Sequence, residues 1–140
     1  MIDSSLLKKN NYILMKKVIN TIQAPTPIGP YNQAIEINGV LYASGQIAIN
    51  PETNELVLGS IEDETHQVMT NLSAVLSEAG YTFSSVVKTT IFLSDMLLFP
   101  KVNEIYGSYF TKDFPARETV AVAGLPKGVN VEISVIAYRD

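Results

Sequence analysis

Polar and apolar residues change their spacing several times along this chain, and each change marks an element. The segment QAPTPIGPY (23–31) carries three prolines in nine residues, which excludes helix and predicts an extended connection. Apolar runs then flank Asn38-Gly39, the pair suited to a two-residue type I′ turn, because both central residues take positive φ. Antiparallel strands are expected over 33–37 and 40–44, with an extended continuation through SGQIAINPETNEL that breaks at Asn50-Pro51. From 61 to 79 the period becomes helical. Ile61, Thr65, Val68, Met69, Leu72, Val75, Leu76 and Ala79 share one face, Ser60 is placed as N-cap, Glu62, Asp63 and Glu64 complement the dipole, and Gly80 ends the helix. SVVKTTIFLSD (85–95) is β-branched and aromatic, a strand. FPKVNEIYGSYF (99–110) returns to helix with Pro100 in the first turn. ETVAVAGL (118–125) and VNVEISVIAY (129–138) read as two last strands joined through Pro126-Lys127-Gly128, and a further short strand is expected near 17–22.

The order β-β-α-β-α-β-β predicts an α+β fold, a mixed sheet with both helices on one face. Apolar residues occupy both parities of the last strands, so the helix-free face needs another cover, and self-association supplies it most economically. The 140 residues make one domain, with 46% apolar and 17% charged residues as in compact proteins. A net charge of −4 gives no electrostatic footprint for nucleic acid. No cysteine and a single histidine exclude thiol chemistry and multi-histidine metal sites, leaving Arg, Lys, Glu, Asp, Tyr, Ser and Thr to carry any reaction. No apolar run approaches the roughly 18 to 20 residues that span a bilayer. Residues 1–14 read as an extension ahead of Met15, and 15–140 as the domain. Asp3 and the absence of arginine argue against a mitochondrial transit peptide, so a cytosolic location is the default.

Arg117 is one of two arginines, at the mouth of an apolar strand. Its planar fork suits a carboxylate better than lysine does. The competing reading is an edge arginine paired with Glu118 or Asp113. Glu132 lies inside an alternating apolar strand, on the parity of Asn130, Ser134 and Ile136; burial would raise its pKa towards acid–base use, whereas a solvent-facing position would leave it ordinary. A simple hairpin about Pro126-Lys127 sets Arg117 opposite Ile136, with Glu132 on Arg117's face roughly 13 Å along the strand. Tyr31 after Gly-Pro is a pocket wall or a packed loop aromatic. Ser44 is a strand-end hydrogen bonder, His66 a solvated helix residue, and Lys88 a sheet-surface amine. No phosphate-binding glycine loop is present.

Together IGPYNQA (28–34), LYASGQIAINPETNEL (41–56), NLSAVLSEAG (71–80), VVKTTIFLSDM (86–96), VNEIYGSYF (102–110) and FPARETVAVAGLPKGVNVEISVIA (114–137) resemble the YjgF/RidA family of reactive-intermediate imine deaminases, from about Val18 to the C-terminus. The resemblance implies a chorismate-mutase-like fold in a homotrimer, with the sheets forming a central barrel and the sites lying between subunits. It implies hydrolysis of 2-iminobutanoate or 2-iminopropanoate to a 2-oxo acid and ammonia, with no metal and no organic cofactor. By motif position Arg117 matches the residue that grips the substrate carboxylate and Glu132 the one that activates water, while Tyr31, Ser44 and Asn103 match pocket positions. Thr119 stands where many members have cysteine, and it is expected at the substrate through its backbone. RNA cleavage, attributed to some relatives, and a non-catalytic 2-oxo acid-binding trimer are the alternatives.

Overall fold

The computed structural model describes residues 15–140; the expected extension 1–14 lies outside the described residues. One six-stranded sheet is built from β1 (Lys17–Ile19), β2 (Ala34–Ile37), β3 (Val40–Gln46), β4 (Val86–Leu93), β5 (Ala116–Ala121) and β6 (Val131–Tyr138). Its spatial order is β1-β2-β3-β6-β4-β5. All pairings are antiparallel except β4 with β5. Helices α1 (Ile61–Glu78) and α2 (Phe99–Gly107) pack on one face. The chain is thus α+β, a mixed sheet with two helices, as its periodicities indicate.

Local chemistry explains the elements. Asn38 and Gly39 take φ of 53° and 82°, closing the β2–β3 hairpin as a type I′ turn demands. The Ser60 side chain caps α1 by accepting from the Asp63 N–H, and Gly80 stops it at a φ of 82°. The apolar stripe of α1 is buried against β3 and β6, with Val68, Met69, Leu72 and Val75 fully enclosed. In β6, Val131, Ile133, Val135 and Ala137 point into this core, and Glu132, Ser134 and Ile136 take the opposite parity. On the helix-free face Tyr42, Val120 and Tyr138 each leave about half of their surface in water.

Two expectations are corrected. Helix α2 stops at Gly107 rather than running to 110; Tyr109 and Phe110 follow it and pack edge-on with Phe83. More consequentially, β5 and β6 form no hairpin. β5 runs parallel to β4, with Arg117 beside Thr89, and β6 sits between β3 and β4 with Glu132 beside Phe92. The reason is the α2 crossover: a strand–helix–strand unit brings the chain back parallel to its starting strand, so β5 is committed to β4 before β6 is reached. Thr89 is buried on the helix side, whereas Phe92 has the other parity. Arg117 and Glu132 therefore lie on opposite faces of the sheet, not on a shared one.

Candidate active site

Arg117 stands on the edge strand β5 and faces α2. Its Nη1 donates to Asn103 Oδ1 at 2.6 Å, and its guanidinium carbon lies 5.4 Å from the Phe99 ring centre and 5.2 Å from that of Tyr106. The ion pair of the competing reading is not formed among the described residues. Glu118, on the other parity, is 3.1 Å from Lys88, and Arg117 has no carboxylate partner among the described residues. Arg117 lines a cavity of about 440 Å³ together with Asn103, Tyr106, Gly107, Phe114 and Pro115. A cation with one of five donors engaged, facing an open cavity, is arranged to receive a carboxylate on its free edge.

Glu132 belongs to a second cavity, about 380 Å³, on the other side of the sheet. Tyr31, Ser44 and Glu132 line it, and Pro25, Ile28, Ile47, Ile49 and Pro126 give it an apolar wall. Burial pushes the Glu132 carboxyl above its ordinary pKa. A β-carbon on Gly45 would collide with the Glu132 carboxylate, so the bulge in β3 and the missing side chain make the room that this carboxylate occupies. Ser44 Oγ donates to the Asn32 carbonyl at 2.7 Å; with its proton committed, it presents only lone pairs to a ligand. Tyr31 is half exposed, and its oxygen accepts from the Ile28 N–H at 3.4 Å.

Of the residues singled out from sequence, the fold thus gathers Tyr31, Ser44 and Glu132 in one cavity, and Asn103 and Arg117 in the other. Thr119 shares Arg117's parity, but its hydroxyl is buried without a partner among the described residues and outside the Arg117 cavity lining. Lys88 lies at the sheet surface, where it pairs with Glu118. His66 is exposed on α1 and bonds Tyr109 Oη through Nδ1 at 2.7 Å. A larger cavity of about 560 Å³, beside α1, is lined by Thr70, Ser73, Ser77 and Tyr109, and brings no opposed charges together.

Three buried polar side chains hold the Glu132 cavity in shape: Gln33 and Asn71, unmarked in the sequence reading, and Glu64, which the sequence suggested only as a complement to the helix dipole. Gln33, 1% exposed, accepts from the Thr21 N–H and donates to the carbonyls of Thr21, Ala24 and Pro25. Asn71 donates to the carbonyls of Ile47 and Ile49. Glu64 accepts from the N–H groups of Asn130 and Val131 and from Asn130 Nδ2, fixing the backbone just before Glu132. The signal available for Asn71 was its position inside the apolar stripe, three residues after Val68 and four before Val75. Nothing local marks Gln33, whose partners lie 8 to 12 residues away.

Comparison with known proteins agrees with the fold. The family model described as Endoribonuclease L-PSP matches residues 21–139. A RutC family protein of Pyrococcus horikoshii is 50% identical over 126 residues, which is 90% of this chain and all of the relative. The 2-iminobutanoate/2-iminopropanoate deaminase of Mus musculus is 46% identical over 126 residues, covering 90% of this chain and 93% of the relative. Among solved structures, Escherichia coli TdcF with bound serine superposes with a TM-score of 0.85 at 35% identity, over 89% of this chain and 99% of that one.

Proposed function

The chain belongs to the endoribonuclease L-PSP family, the YjgF/RidA family, and from that premise we propose that it hydrolyses small 2-imino acids to 2-oxo acids and ammonia. The observation that carries the reading is the pair of complementary half-sites: a guanidinium with no carboxylate partner among the described residues, and a carboxyl of raised pKa in an apolar-walled cavity. One chain holds them on opposite faces. In this reading a second copy closes the gap, its β5 edge meeting the neighbour's Glu132 side, and three copies close the ring as a homotrimer. The bare apolar face and the unpaired outer edge of β5 are the surfaces available for that association.

Arg117 would grip the substrate carboxylate and so fix the adjacent C=N carbon. Glu132 takes a proton from a water as its oxygen attacks that carbon, giving a tetrahedral carbinolamine. That proton passes to nitrogen, the hydroxyl proton of the carbinolamine follows it by way of Glu132, the C–N bond breaks, and ammonia leaves as the C=O bond forms. Ser44 accepts from the substrate N–H with its free lone pairs. Tyr31 closes the cavity mouth, and Asn103 holds the arginine. Thr119 contributes backbone groups at the carboxylate end. The apolar wall suits a short aliphatic substituent. The relative named as a 2-iminobutanoate/2-iminopropanoate deaminase and the neighbour holding serine, itself a small carboxylate, support this class of ligand. The reading includes a cytosolic setting and a single domain of residues 15–140. The net charge of −4 weighs against RNA as substrate.

The test couples a threonine dehydratase to this protein and traps surviving imine with semicarbazide. The parent protein lowers trapping, and Arg117→Ala loses at least about tenfold of that effect, since a charge-assisted bidentate contact is worth roughly 1.5–3 kcal/mol. An Arg117→Ala protein that protects as well as the parent sinks the assignment.

A further inference from the structure

Arg117 sits on an edge strand, is exposed, and is a long side chain held, among the described residues, by a single hydrogen bond to Asn103. One such bond leaves the guanidinium free to swing about it. What restricts it is aromatic. The Tyr106 ring centre lies 5.2 Å from the guanidinium carbon and that of Phe99 5.4 Å, both within the range where the negative ring face attracts a cation. Tyr106 is itself immobilised. It is 3% exposed, its ring packs 4.9 Å from Phe110, and its hydroxyl donates to Thr89 Oγ1 at 3.1 Å in a buried bond. Thr89 is the residue that pairs with Arg117 across β4 and β5. The tyrosine is thus pinned at one end to the strand beside the arginine while its ring bears on that arginine's head.

We propose that Tyr106, seconded by Phe99, is a positioning residue for carboxylate capture, its ring holding the Arg117 guanidinium in ligand-ready orientation. This rests on the reading of Arg117 as the carboxylate grip. A pre-ordered guanidinium spares the ligand the cost of ordering it, so the clamp acts on affinity rather than on the chemical step. The Tyr106 hydroxyl serves the ring's anchorage and has no part in the reaction.

The experiment titrates 2-oxobutanoate into the full chain by calorimetry, with the Arg117 Nε–H resonance followed by NMR. In the parent protein the two nearby rings are expected to displace that proton's resonance by their ring currents. Tyr106→Leu weakens 2-oxobutanoate about threefold to tenfold, matching the usual worth of a cation–π contact. It raises KM for imine more than it lowers kcat and returns the Arg117 resonance towards its free position. Tyr106→Phe, which keeps the ring, binds within about twofold of the parent and shows only a lower melting temperature, from the unpartnered Thr89 hydroxyl. Should Tyr106→Leu fail to fold, Phe99→Leu carries the same two readouts from the other ring. Unchanged affinity and an unchanged Arg117 resonance in the leucine variants overturn the proposal, as does a Tyr106→Phe that binds as poorly as Tyr106→Leu. A parent protein that binds no 2-oxobutanoate overturns the reading of Arg117 first, and this inference with it.

Discussion

Glu132 and the glycine beside it make opposite demands on the same few cubic ångströms. Burial raises the carboxyl's pKa above its ordinary value. If it is the base, the acid limb of the pH–rate profile lies above the ordinary glutamate value, and Glu132→Gln removes both the limb and most activity; a limb at or below that value contradicts the assignment. The same shift has a stability consequence. A carboxyl whose pKa rises on folding favours the folded state while protonated, and that contribution is lost as pH climbs from the unfolded-state value through the folded one. Glu132→Gln therefore melts with less pH dependence across that window, and gains stability relative to the parent at neutral pH. Gly45 provides a second check. The atoms nearest a methyl there are Oε1, Cδ and Cγ of the Glu132 side chain, which can rotate to make room, and Gly45 has no positive φ. Gly45→Ala should keep its melting temperature within a few degrees, a change on the order of 1 kcal/mol, while activity falls at least tenfold because the carboxylate is displaced. Residue types and parities of this kind were legible in the sequence: Glu132's alternation with Val131 and Ile133 is what the fold shows. The partner of Arg117 was not. Its neighbours Phe99, Asn103 and Tyr106 lie 11 to 18 residues back on a helix, and no strand periodicity names them.

At the scale of elements, the sequence marks what is local and misses what is threaded. The Asn38-Gly39 turn and the α1 stripe with its Ser60 cap rest on contacts within a few residues, and they stand as read. The pairing of β5 was misread because strands adjacent in sequence usually neighbour one another; here α2 turns β5 parallel onto β4, and β6 is inserted beyond it. Loops around the Glu132 cavity show a second kind of illegibility. Their shape is set by single buried side chains reaching from afar, Asn71 across 22 to 24 residues and Glu64 across 66 to 67. Gln33 is the most heavily engaged of these, with four bonds from one carboxamide. Gln33→Leu keeps the bulk and strands the Thr21 N–H and the carbonyls it serves. Destabilisation on the order of 3 kcal/mol is expected by chemical denaturation, with faster amide exchange in 21–25. A loss below about 0.5 kcal/mol would show that water replaces the carboxamide without cost.

For the whole molecule, the sheet separates what the proposed chemistry needs together. Arg117 and its aromatic rings sit on the helix side at the β5 edge; Glu132, Ser44 and Tyr31 sit on the other side. A bare apolar face and an open edge strand accompany that separation, and one arrangement answers both, with each site assembled from two copies of the chain. Composition and patterning already pointed to association, whereas the division of the site between faces emerged only with the strand order. The central claim is therefore that Arg117 of one copy works with Glu132 of another. Mixing Arg117→Ala chains with Glu132→Gln chains, unfolding and reassembling them together, and assaying imine hydrolysis tests it most directly. Each variant alone is inactive. In an equal mixture, about a quarter of the sites in randomly assembled trimers pair an intact Arg117 with an intact Glu132, so about a quarter of parental activity should return. Hybrids as inactive as their parents would contradict the account.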